Sequence, residues 1–277
     1  MLKTTNKIII GAMVIMVALS TTIGGCKKES TAPRSTTYQL NAKDQLGVSG
    51  TVTFTETASS VTTVEITLSG PFSATAHPAH IHLNSAAEGG SIAISLTDVV
   101  NGKSTTTVTQ LDNGTAITYS SLIAFDGYVN VHESSGIGLA TIIAQGDIGG
   151  NVLTGATHSY NLDTTGGYNV KGTIVFAKRN NGNSLATISL TGNLTTTGTL
   201  YPANIRLGSV TTVGTTLVTK TLNAVDGPSS KSITNIRTLD DGTAFSYDNI
   251  LAYDGFVAIE ASPTSSTIIS KGNIGTH

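Results

Sequence analysis

From about residue 37 onward the chain is written in short runs of alternating apolar and polar residues. In GTVTFTET, residues 50–57, Val52 and Phe54 fall on one side and Thr51, Thr53 and Thr55 on the other. VEITL repeats the pattern with Val64, Ile66 and Leu68. Side chains alternate across an extended strand, so a period of two predicts half-buried β-strands. SIAISL, TTTVTQL, TAITYSSLIAF, GYVNVHE and LATIIAQGDI, spread over residues 91–148, continue the series. Turn chemistry falls between them at Asn101-Gly102, Asn113-Gly114 and Asp126-Gly127, the dipeptides that tolerate a positive φ in tight hairpins. No amphipathic helical period is found after residue 30. The pattern predicts an all-β fold of antiparallel Greek-key β-sandwich type.

The pattern occurs twice. TYQL at 37–40 returns as SYNL at 159–162, VSGTVTF at 48–54 as VKGTIVF at 170–176, and ITLSG at 66–70 as ISLTG at 188–192, all at an offset of 122. PAHIHL at 78–83 returns as PANIRL at 202–207, and FDGYVNVHES at 125–134 as YDGFVAIEAS at 253–262. The offset drifts where loops gain or lose residues, while strands keep their register. Two tandem β domains are therefore expected, at 37–150 and 159–277, joined by GGNVLTGAT at 149–157. Each is long enough to enclose its own core.

The N-terminus follows another rule. Two lysines in MLKTTNK precede the apolar run IIIGAMVIMVALSTTIGGC, which reads as a secretory signal peptide over residues 1–25. Cys26, the single cysteine, stands behind Ile23-Gly24-Gly25. This resembles the lipobox of bacterial lipoproteins, which implies lipidation of Cys26 and anchoring to the membrane through acyl chains. The polar stretch 26–36 then reads as a lipidated tether. Its Lys-Lys-Glu resembles export tags of surface lipoproteins, so an outer-membrane or cell-surface location is expected. One cysteine forms no internal disulfide.

Composition narrows the function classes. Charged residues make up 12% of the 277, the net charge is −2, and tryptophan is absent. Without a basic stripe, nucleic-acid binding has no electrostatic support. There is no P-loop, no Gly-x-Ser-x-Gly elbow and no His-Glu-x-x-His pair, and no residue is assigned a catalytic role.

Candidate chemistry rests on histidine. In PAHIHL, His80 and His82 are two apart on one strand and project from the same face. His132 shares a strand face with Tyr128 and Asn130. If the two strands are neighbours, three imidazoles converge on one point, as suits zinc or copper. His77 is a possible fourth ligand, and Asp126 and Glu133 are possible supporting groups. The alternative is histidines that merely decorate a strand or are satisfied by nearby groups such as Asn84, Ser85 and Glu88. The second repeat replaces the whole set: Asn204 stands for His80, Arg206 for His82, Glu260 for His132 and Tyr201 for His77. Arg206 and Glu260 carry opposite charges, and an ion pair between them is expected in place of the histidines.

PAHIHL, SLTDVVNG, GYVNVHES and QGDIG together resemble the CHRD domain, a module first described in chordin and found in many secreted bacterial proteins. The resemblance is strong in the first repeat, at His80, His82, Tyr128, Val129, Asn130, Val131 and His132. It departs at the closing segment, and the second repeat keeps the framework without the histidines. The family implies an all-β, extracytoplasmic module and no settled activity. A His-x-His strand in a Greek-key fold also looks like copper–zinc superoxide dismutase. That resemblance implies a disulfide and further metal ligands, and outside the first repeat only His158 and His277 remain.

Three function classes follow. The leading one is a lipid-anchored, non-enzymatic envelope module with a zinc or copper site and an unidentified protein or glycan partner. The second is a metal-free adhesion or structural module, for which Tyr128 or Phe125 would supply an exposed aromatic patch. The third is a mononuclear copper redox enzyme.

Overall fold

The structure, a computed structural model, describes residues 33–195, 198–212 and 216–277. Cys26, the expected signal peptide and most of the expected tether lie outside the described residues.

The chain is all-β, built as two eight-stranded antiparallel units. The first repeat supplies β1 (Ser35–Ala42), β2 (Ser49–Ala58), β3 (Val61–Ser69), β4 (His77–Leu83), β5 (Ile92–Val99), β6 (Lys103–Val108), β7 (Asp126–His132) and β8 (Ile142–Gly149). They are ordered β5-β4-β7-β8-β1-β2-β3-β6. β4 follows β3 in the chain but pairs with β5 and β7, the long crossing of a Greek key. The edge strands β5 and β6 approach each other at their hairpin, through a bridge between Val100 and Lys103.

The second repeat supplies β9 (Leu153–Thr164), β10 (Val170–Arg179), β11 (Ser184–Gly192), β12 (Leu200–Leu207), β13 (Val218–Asp226), β14 (Lys231–Ile236), β15 (Asp254–Ser262) and β16 (Ser265–Gly275). Here the corresponding hairpin pairs at Asp226 and Lys231. The sheet therefore closes into a barrel, β10-β11-β14-β13-β12-β15-β16-β9. This is the same circular order as the first repeat. Closure removes the exposed edges that an open sheet must otherwise protect.

Each unit has its own core. Leu40, Val52, Phe54, Val64, Ile66, Ile81, Val129, Val131, Ile143 and Ile148 are fully buried in the first. Leu162, Val170, Ile174, Phe176, Ile188, Ile205, Val257, Ile259 and Ile274 fill the second. These are the inward members of the alternating runs, and each such burial stabilises by roughly 1.5–3 kcal/mol.

Two expectations need correction. The run 115–125 is not a strand. It forms a one-turn helix α1 (Tyr119–Leu122), with Thr118 Oγ1 accepting from the Ser121 amide at 3.2 Å. Tyr119 and Leu122, three apart, both enter the core, and a helical turn is what brings residues at that spacing to one side. Ser246 and Asn249 form a capping box at the equivalent α2 (Tyr247–Leu251). Nor is 149–157 a free joint: β9 begins at Leu153, opposite Arg179 of β10.

Residues Pro33–His277 form one compact unit, in which the repeats touch. The amides of Asn180 and Asn181 donate to the carbonyls of Val152 and Gly150 at 2.9 and 2.8 Å. Arg179, fully buried, donates from Nη1 to Asp147 Oδ2 at 2.7 Å and to the Asn151 carbonyl.

Candidate metal centre

Strand alternation sets the site. On β4, Ala79 and Ile81 face the core, so His80 and His82 face outward. β7 is the antiparallel neighbour, with His80 opposite Asn130 and His82 opposite Tyr128. Tyr128, Asn130 and His132 share the outer face of β7, while Val129 and Val131 face the core. The histidine rings gather with centroids 5.2 Å apart for His80–His132, 5.7 Å for His80–His82 and 6.3 Å for His82–His132. One nitrogen from each lies within 4.8 Å of the other two. Tyr128 stacks on His82 at 5.0 Å.

Two loops cover this outer face and orient the rings. His82 Nδ1 donates to the Gly90 carbonyl at 2.9 Å, and His132 Nδ1 donates to the Leu139 carbonyl at 2.7 Å. A carbonyl only accepts, so both rings carry their proton on Nδ1 and expose a lone pair on Nε2. Those two Nε2 atoms, and Nδ1 of His80, are buried without a hydrogen-bond partner. Leaving a buried polar atom unmatched costs about 1–3 kcal/mol. Three such atoms in one cluster, two with a carbonyl behind the ring, form the arrangement that metal-binding histidines use.

Burial and charge favour the neutral form of His80 and His132. Burial pushes the His80 imidazole below its ordinary value, and the neighbouring His132 and His82 charges push it further. Burial also lowers His132, with His82 assisting and the Leu139 carbonyl opposing. A neutral imidazole is the form that binds a cation.

His77 is not part of this cluster. It lies three residues before His80, an odd number of steps, and is buried against Phe72. Its Nδ1 donates to the His132 carbonyl at 3.0 Å, and its Nε2 meets Ser73 Oγ at 3.3 Å and the Ser73 carbonyl at 3.0 Å. Its repeat counterpart Tyr201 pins the matching loop, with its hydroxyl 2.8 Å from the Thr195 amide. The position therefore ties down a loop in both repeats. Asp126 accepts from Asn151 Nδ2 at 2.8 Å and faces Arg237 at 3.6 Å. The Glu133 amide donates to the Thr141 carbonyl.

In the second repeat, Arg206 Nη2 lies 2.6 Å from Glu260 Oε1, with both side chains mostly buried. Asn204 completes the group, accepting from Arg206 Nε at 2.7 Å and donating to Glu260 at 3.2 Å. Arg206 Nη1 also donates to the Thr216 carbonyl at 3.2 Å, the position Gly90 holds in the first repeat. The same scaffold thus carries three imidazoles in one copy and a self-satisfied ion pair in the other.

One residue of the site went unassigned on sequence alone. Asn130 lies between Tyr128 and His132 on the shared face, is 4% exposed, and its Oδ1 has no partner. Its counterpart is Ala258, and that of Tyr128 is Phe256. At these two positions of the face the second copy carries no side-chain polar atoms. Neither Tyr128, which is buried, nor Phe125, which packs partly buried on the core, offers an exposed aromatic patch. Exposed apolar residues near the cluster include Ile92, paired with His82 across β4 and β5, and Ile137 and Leu139 in the 3-10 turn Gly136–Ala140.

No protein-family profile, curated protein or solved structure matches the chain.

Proposed function

We propose that the first repeat is a transition-metal-binding module, holding zinc or copper through His80, His82 and His132. The observation that carries this is the set of three buried, unpartnered ring nitrogens, two of them backed by carbonyls. Imidazole suits both metals. Zinc binds it at ~2.0–2.1 Å, which spaces ligand nitrogens about 3.4 Å apart, inside the 4.8 Å that bounds the present separations. The N-terminal pattern supports an exported protein held to the envelope by a lipid on Cys26, and the likeness to CHRD modules supports an extracytoplasmic, non-enzymatic binding role.

Metal content tests the reading. The full chain, purified without a histidine tag, is expected to hold one zinc or copper that is lost in His80→Ala/His82→Ala. Thermal melts follow the same pattern: metal at a hundredfold excess over Kd adds about 2.7 kcal/mol, and the variant gains nothing. A wild-type chain that takes up neither metal overturns the proposal and returns the search to metal-free adhesion.

A further inference from the structure

The loop 84–91 joins β4 to β5 and carries the Gly90 carbonyl that orients His82. Groups of the second repeat hold that loop. Glu88 is the main anchor. Its Oε2 accepts from the Ser85 amide at 3.1 Å and the Ser85 hydroxyl at 2.9 Å, both inside the loop. The same oxygen accepts from Asn235 Nδ2 of β14 at 2.9 Å, and Oε1 faces Arg237 Nη2 at 3.0 Å. A second tie runs through Asp147. Its Oδ1 accepts from the Ala86 amide at 2.8 Å, and its Oδ2 from the buried Arg179 of β10 at 2.7 Å. Two carboxylates thus each bridge the histidine loop to the other repeat by charge-assisted bonds, the stronger class of hydrogen bond.

We infer that the second repeat, which lacks the histidines, clamps the metal site of the first, with Arg237, Asn235 and Arg179 as positioning residues acting through Glu88 and Asp147 on the loop that fixes His82. The inference rests on the metal reading above. It gives the second copy a task that needs no ligands of its own. By linkage, metal binding and the contact between repeats strengthen each other.

The test is zinc affinity of the full chain, measured by competition with a chromogenic chelator. Arg237 is nearly half exposed, so its removal leaves the core intact. Groups behind metal ligands change affinity by 10–100-fold when lost. Arg237→Ala is expected to weaken zinc about tenfold, and Arg237→Lys to restore part of it. In a Glu88→Gln background, Arg237→Ala should add much less, because the closer of its two carboxylate contacts is gone and only the 3.6 Å one to Asp126 remains. Lys178→Ala, whose pair with Asp248 lies inside the second repeat, should leave affinity unchanged. Equal affinity in wild type and Arg237→Ala overturns the clamp and leaves the metal site standing. An undiminished effect in the Glu88→Gln background also overturns it, since Arg237 would then act on general stability. A wild type that binds neither zinc nor copper overturns both readings.

Discussion

Burial lowers His80 and His132, with His132 and His82 adding to the shift of His80 and His82 to that of His132, and this has a pH signature. Both have folded values below the ordinary 6.5. The unfolded chain therefore takes up protons first as pH falls. Their contribution is fully present above 6.5, and stability of the metal-free protein declines between 6.5 and the lower folded values. Denaturant midpoints at pH 7.5 and 5.5 should show wild type losing more on acidification than His80→Gln/His132→Gln, and equal losses would contradict the assignment. His77 shows the limit of reading chemistry from proximity in sequence. It lies closer to His80 in the chain than His132 does, yet the strand period turns it away.

At the scale of elements, β4 and β7 hold the rings and the loops aim them. Gly90 matters for a spatial reason: a Cβ there would stand 2.0 Å from the Leu83 carbonyl oxygen. Gly90→Ala must therefore displace the loop and its carbonyl from His82. Zinc affinity is expected to fall roughly tenfold, as for loss of an orienting group, with the circular-dichroism spectrum unchanged. Competition titration checks it. The strands were legible in the alternating runs, because alternation reports burial on one face. The helices α1 and α2 were not: the run 115–125 carries enough β-branched and aromatic residues to read as extended, and the demand to bury Tyr119 and Leu122 together prevailed over local preference.

At the scale of the whole molecule, the contact between repeats includes one ion pair with a buried arginine, Arg179 to Asp147. Arg179 is fully enclosed, and its Nε and Nη2 find no partner. Breaking such a pair costs about 3–5 kcal/mol, and the two unmatched donors already weigh against the arginine. Arg179→Ala is therefore expected near the lower end, about 3 kcal/mol in urea unfolding. A loss under 1 kcal/mol would show that those donors cancel the pair.

The duplication and the all-β character are properties of the sequence alone, because side-chain alternation and turn dipeptides are local signals repeated at a nearly constant offset. The pairing of His80 with His82 on one face follows from the same period. The sequence also offered Arg206 and Glu260 as opposite charges at matched positions. The tertiary structure decided what depends on long-range register: that β7 lies beside β4, that His132 joins the cluster and His77 does not, and that the second sheet closes. It alone shows the Gly90 and Leu139 carbonyls behind the rings and the arginines of one repeat tied through Glu88 and Asp147 to the loop of the other. Backbone carbonyls are the same at every residue, so no residue type marks the ones a fold will use.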